Sequence, residues 1–168
     1  WLPSCIAFIS FCLISSAIYL INDCIDIKAD QTHPVKCKRP IAAGFVGKRL
    51  ATITSIFLIF LSLLTSSFVN NYLSLILLSY FLIQFAYCIQ LKRRPLLDLF
   101  CISSGFLLRS FSGLAASKLV LSPWFILTVA LLALFLAVEK RKAELITFKE
   151  TSIFTRDILK IYTLPLLL

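Results

Sequence analysis

Between Asn22 and Gly44 the chain reads NDCIDIKADQTHPVKCKRPIAAG, a knot of charge in an otherwise apolar sequence. Asn22, Asp26 and Asp30 recur at i, i+4 and i+8, and Asp23 stands three residues before Asp26. If a helix runs through the segment, all four lie on or near one of its faces. Their donors are oxygens only, which suits a hard cation, best Mg2+, held by a few carboxylates together with substrate phosphates. The plainer account is the solvated end of a helix. Ionisable groups at the border of a hydrocarbon layer are costly, however, which favours the metal reading. HPVKCKRP then brings Lys36, Lys38 and Arg39 between two prolines. Cations beside a carboxylate–metal cluster suit a polyanion such as a diphosphate. A basic membrane anchor is the competing account, and for Lys48 and Arg49 it is the better one. His33, the single histidine, reads as a loop residue or as support for its neighbours.

The elements that must position this segment are membrane helices. Of 168 residues, 60% are hydrophobic and 15% charged, and mean hydropathy is +0.95. That composition exceeds the apolar share of soluble domains, and the long apolar runs exclude a transmembrane barrel, whose strands alternate. A span needs about 20 apolar residues. Trp1–Ile21 qualifies as the first. The charge-free run Ala51–Leu91 is too long for one crossing, and Asn70–Asn71, flanked by serines, is the expected hairpin between two spans. Leu96 to about Ala116 forms a fourth span, and Leu119–Val138 a fifth, with Pro123 in its first turn. A polar stretch follows from Glu139 to Lys160, and Ile161–Leu168 opens a sixth span. The expectation is an all-α integral membrane bundle in one domain over residues 1–168. With no Met and an apolar C-terminal run, the chain is expected to be a fragment cut at both ends.

The net charge is +9. Lys and Arg gather in three blocks, Lys28–Arg49, Lys92–Arg94 and Lys140–Lys160, and the alternate connections hold only Lys118. This asymmetry puts the three blocks in the cytoplasm. A nucleic-acid partner is not expected for so apolar a chain. The six cysteines form no CxxC pair and have no histidine at ligand spacing, so structural zinc is not expected. Cys5, Cys12 and Cys101 read as small hydrophobes.

The fourth span is unusual in carrying Asp98 near its start and Arg109 in its middle. Eleven residues are three helical turns, so the two share a face. Gly105 and Gly113, four residues to each side of Arg109, clear that face for close approach. Asp98 can complete a metal site. Arg109 is read either as an ion-pair partner for another span or as a contact to substrate. Lys140 and Glu144, at i and i+4, read as a helix-surface pair.

These residues carry a resemblance. NDxxDxxxD followed by RPIAAG resembles the first aspartate-rich motif of the UbiA superfamily of intramembrane prenyltransferases, and YCIQLKRRPLLDLFCISSGFLLRSFSG resembles its second, with Tyr87, Lys92 and Asp98 in place. Ile102 stands where the second motif usually has another Asp. GFLLR, HPVKCKRP and EKRKAEL are similar to one branch, the decaprenyl-phosphate phosphoribosyltransferases. The resemblance covers nearly the whole chain, and it implies further spans at both ends.

It implies a bundle whose cavity opens to the cytoplasm and to lipid, in a plasma or inner membrane. It implies Mg2+ on Asn22, Asp23, Asp26 and Asp30, with Asp23, Asp26 and Asp98 as the catalytic acids. Lys36, Arg39, Tyr87, Lys92, Arg109, Lys140 and Arg141 would bind substrate. The implied reaction moves phosphoribose from phosphoribosyl diphosphate to a polyprenyl phosphate. Two alternatives stand: transfer of a polyprenyl group from its diphosphate to an aromatic acceptor, and a non-enzymatic cation transporter or channel. Polyprenyl length and oligomeric state are not legible.

Overall fold

A computed structural model describes residues 1–94, 96–117, 119–120 and 122–151. Among them every long element is an α-helix: α1 Leu2–Ile25, the short α2 Ile27–Gln31, α3 Lys48–Ser67, α4 Asn71–Ile89, α5 Leu97–Ser117 and α6 Pro123–Thr151. Two 3-10 turns, Lys36–Lys38 and Leu91–Arg93, sit in the connections. Five helices are long and apolar enough to cross a membrane. With a backbone whose polar groups must be satisfied internally in lipid, a helical bundle is the expected answer for such a chain.

Helix α1 is the hub and packs against α3, α4 and α5, while α6 packs on α5. Small and hydroxyl side chains bring α1 and α3 together. Ser62 Oγ donates to the Ser10 carbonyl at 2.7 Å, Ser10 and Thr65 share a hydroxyl contact at 2.8 Å, and Ala51, Ser55, Ser62 and Ser66 are buried along one face of α3. In lipid this is how helices approach, since apolar bulk gains nothing by leaving hydrocarbon. The bulky residues of α3 point outward instead, with Ile53, Ile56, Phe57 and Phe60 exposed. Phe11, Ile14 and Ile18 of α1 meet Leu73, Leu77 and Tyr80 of α4 in the largest buried apolar cluster.

The hairpin falls at Asn70 as expected. Its Oδ1 accepts from the Leu73 backbone N–H at 2.7 Å and caps α4, while its Nδ2 donates to the Ala115 carbonyl at 2.9 Å and ties the hairpin to α5. Gly105 also meets expectation: a Cβ there would come 2.9 Å from Gln84 Nε2 on α4. Gly113 does not, having nothing within 4 Å.

Three boundaries differ from those read off the sequence. The first helix runs past Ile21 to Ile25 and breaks at Asp26. The fifth span begins at Pro123 rather than Leu119, because proline suits a first helical turn. Its helix then continues through the polar stretch as far as Thr151. The expected sixth span, Ile161–Leu168, lies outside the described residues, as does the side chain of Glu144. The six cysteines are free thiols.

The double role of Asn70 can be separated. Asn70→Ser retains a capping oxygen but cannot reach Ala115, whereas Asn70→Ala loses both bonds. Thermal unfolding in detergent should rank wild type above Asn70→Ser above Asn70→Ala, with about 1 kcal/mol lost per step.

Candidate active site

Helix α1 ends where its charged residues begin, and the chain turns at Asp26 before the single turn of α2. The turn splits the acids among different partners. Asp23 and Asn22 line a cavity of about 330 Å³ between α1, α4 and α5. Asp30 is buried at 4% exposure. Arg39 reaches back from the loop and bridges the two acids, its Nη1 donating to Asp23 Oδ1 at 2.8 Å and to Asp30 Oδ2 at 2.9 Å. Asp26 faces the α4–α5 connection, where Lys92 Nζ donates to both its carboxylate oxygens at 2.5 and 2.7 Å.

The Arg39 loop is held by packing. Ile41 is buried with Cys24 and Ala51, and Gly44 closes the turn at φ +83°, where a side chain would be strained. His33 organises the preceding turn. Its Nδ1 accepts from the backbone N–H groups of Val35 and Lys36 at 3.1 and 3.3 Å, and burial, then the nearby Lys36 charge, pushes its pKa below the usual imidazole value. An accepting Nδ1 requires that nitrogen unprotonated, which agrees with the direction. Lys36 itself is half-buried on its 3-10 turn and does not line the cavity.

Asp98 is fully buried, and so is Arg141. Arg141 Nε donates to Asp98 Oδ2 at 2.5 Å and its Nη2 to Oδ1 at 2.8 Å, and the Tyr87 hydroxyl donates to Oδ1 at 3.0 Å. Arg141 is thus turned to the Asp98 carboxylate, and neither residue is among those that line the cavity. The reason is electrostatic: a carboxylate one residue inside a span needs a fixed counter-ion, and a planar guanidinium offers two donors to it. Tyr87 touches both regions, bonding Asp98 and lining the cavity. Lys140, next to Arg141, is exposed and lines the cavity.

Deeper in the cavity is Arg109, exposed to it, with Cζ 5.0 Å from the Phe11 ring centroid. Tyr80 is a polar neighbour. A guanidinium at mid-span costs roughly 2.5–3.5 kcal/mol or more unless it faces such a polar space. Sequence reading missed Tyr19, Tyr80 and Gln84, which also line the cavity. Their signal was present: Tyr80, Gln84 and Tyr87 fall at i, i+4 and i+7, a polar stripe on an otherwise apolar helix. Ile102, in the place of the second motif's further acid, is part of the cavity wall.

Asn22, Asp23, Asp26 and Asp30 make an oxygen-only donor set that fits Mg2+ in type. They are not gathered on one point, and among the described residues no three acids, cysteines or histidines form a ready metal group. Asn22 and Asp23 are the two already facing the cavity. A cavity with oxygen donors and cations at one end, enclosed by membrane helices, can take an anionic headgroup and leave an apolar tail in lipid.

Residues 1–144 match the UbiA prenyltransferase family, and the chain belongs to it. It is an integral membrane protein, in keeping with its five span-length helices. Over 158 residues it is 42% identical to a decaprenyl-phosphate phosphoribosyltransferase of Mycolicibacterium smegmatis, covering 94% of this chain and 50% of that one. It is 40% identical to the enzyme of the same name from Corynebacterium glutamicum, covering 94% and 48%. The fold matches a UbiA homolog from Archaeoglobus fulgidus bound to GPP and Mg2+, with a TM-score of 0.77 at 21% identity, covering 84% of this chain and 51% of that one. The chain thus spans about half the length of these relatives.

The Asp98–Arg141 pair gives a direct test of the buried charge. Arg141→Met leaves the Asp98 carboxylate unpaired and should destabilise the protein by about 3–5 kcal/mol, while adding Asp98→Leu should recover most of it. Thermal unfolding of the single and double variants measures the difference.

Proposed function

We propose that the protein is a Mg2+-dependent membrane transferase that moves phosphoribose from phosphoribosyl diphosphate to a polyprenyl phosphate and releases diphosphate. The observation that carries this reading is the likeness at 40–42% identity, along nearly the whole chain, to enzymes named decaprenyl-phosphate phosphoribosyltransferase. The site is compatible with it. Asn22, Asp23, Asp26 and Asp30 would hold the metal, which when bound neutralises charge on the departing diphosphate. Arg39 and Lys140 line the same cavity and Lys92 stands beside Asp26, so cations are within reach of the diphosphate oxygens.

In this reading a phosphate oxygen of the lipid forms a bond to the anomeric carbon of the ribose. The bond from that carbon to diphosphate breaks, and diphosphate leaves with the electron pair. The nucleophile is already an anion, so no strong general base is required. The single histidine, whose Nδ1 is committed to the backbone of its own turn, is consistent with that. The lipid tail would lie in the bilayer against the exposed apolar faces.

The active-site end faces the cytoplasm in this reading. The Asp26–Lys92 and Asp98–Arg141 pairs bring the described parts of the three basic blocks to one end of the bundle, as expected when Lys and Arg cluster on the cytoplasmic side. A plasma or inner membrane is the corresponding location.

The alternative is transfer of a prenyl group to an aromatic acceptor, and what favours it is the shared fold with a homolog bound to GPP. Ile102 in the cavity wall weighs against it, because it removes an acid expected for a second metal-bound diphosphate contact. A cation channel has less support still, since each described aspartate is paired with a cation and they are not strung along a pore.

Purified full-length protein should label polyprenyl phosphate from labelled phosphoribosyl diphosphate, lose activity in EDTA and regain it with Mg2+. Asp23→Asn should lower kcat/KM by roughly 10²–10³-fold. Label passing only from a prenyl diphosphate to an aromatic acid would overturn the reading, and full activity in Asp26→Ala would remove that residue from the metal set.

A further inference from the structure

Resting on the proposed function, and deepening it, we propose that Arg109 forms a second anion subsite in the same cavity, for a phosphomonoester group rather than for the diphosphate. Three observations lead there. Arg109 lies twelve residues into α5, so its Cα is roughly 18 Å along the helix from the end where the acids gather. Its side chain is exposed to the cavity, and among the described residues no carboxylate forms an ion pair with it. Arg39, Lys92 and Arg141 are by contrast each held by a carboxylate. The Phe11 ring beneath the guanidinium and the neighbouring Tyr80 seat it without neutralising it.

The cavity therefore has cations at two levels, Arg39 and Lys140 with the acids and Arg109 further along α5, and Ile102 and Phe106 are among the apolar residues that line it. Phosphoribosyl diphosphate has two anionic ends, a diphosphate on one side of the ring and a phosphomonoester on the other. A polyprenyl phosphate carries a phosphomonoester as well. A prenyl diphosphate has an apolar chain where the second charge would be, and that chain would strip water from the guanidinium with nothing in exchange. Arg109 is thus a specificity-determining contact that favours a phosphosugar donor or a phospholipid acceptor over a prenyl donor.

The test compares wild type, Arg109→Gln and Arg109→Lys as full-length proteins of matched thermal stability. The probes are phosphoribosyl diphosphate, ribosyl 1-diphosphate without the 5-phosphate, and polyprenyl phosphate. Direct binding of ribose 5-phosphate is measured separately. Arg109→Gln should weaken ribose 5-phosphate binding and raise the KM for phosphoribosyl diphosphate by roughly 10- to 100-fold, with a smaller change in Arg109→Lys. The KM for the analogue without the 5-phosphate should be the same in both proteins. A rise confined to the KM for polyprenyl phosphate would support the subsite and assign it to the acceptor. Unchanged ribose 5-phosphate binding together with an unchanged KM for polyprenyl phosphate in Arg109→Gln overturns the inference, even if phosphoribosyl transfer holds. Conversely, a wild type that uses only prenyl donors overturns the proposed function, and ribose 5-phosphate binding still decides the role of Arg109.

Discussion

Carboxylates at a membrane border have to be neutralised, and this bundle does so with cations drawn from distant parts of the chain. Asp23 and Asp30 take Arg39 from the loop after α2, Asp26 takes Lys92 from the α4–α5 connection, and Asp98 takes Arg141 from α6. Each pair spans a gap in sequence, so each also joins elements. The Asp26–Lys92 pair ties the end of α1 to the turn after α4, and the Asp98–Arg141 pair ties α5 to α6. Such pairs contribute little net stability when desolvation is counted, yet removing one partner is expensive. Their effect is to hold helix ends in one arrangement around the cavity.

The two halves of the bundle are held by different means. Between α1 and α3 the contact is small residues and serine hydroxyls, which allow close approach and satisfy their own polar atoms in a dry setting. Between α5 and α6 there is a small apolar cluster of Leu99, Ala137 and Leu145 beside the buried pair. The cavity lies between these regimes, where α1, α4 and α5 meet and where polar residues face one another instead of lipid.

Much of this was legible. Hydropathy located every span described, and Asn70 marked its hairpin because a capping side chain was needed there. The acids and Arg39 were found from type and spacing, and Lys92 from the resemblance of its segment to the family's second motif. Less legible was which cation met which acid. Arg141 and Lys140 are neighbours in sequence and look alike, but helical rotation turns one inward to Asp98 and the other toward the cavity. The break at Asp26 was also hidden, since i, i+4, i+8 spacing describes a continuous helix and cannot register a turn within it. Gly105 and Gly113 looked equivalent, and only Gly105 has a neighbour to accommodate.

The position of Lys140 follows from these constraints. Helix α6 is anchored at Arg141 by a fully buried pair, with Ala137 one turn before and Leu145 one turn after packed beside Leu99. A helix pinned on that face has no freedom to rotate, so the residue before Arg141 is carried about 100° around the axis. That rotation delivers Lys140 to the cavity that Arg39 and Asp23 also line. The buried Asp98 thus acts at a distance on the cavity's charge: it orients α6, and through α6 it places a cation in the cavity wall.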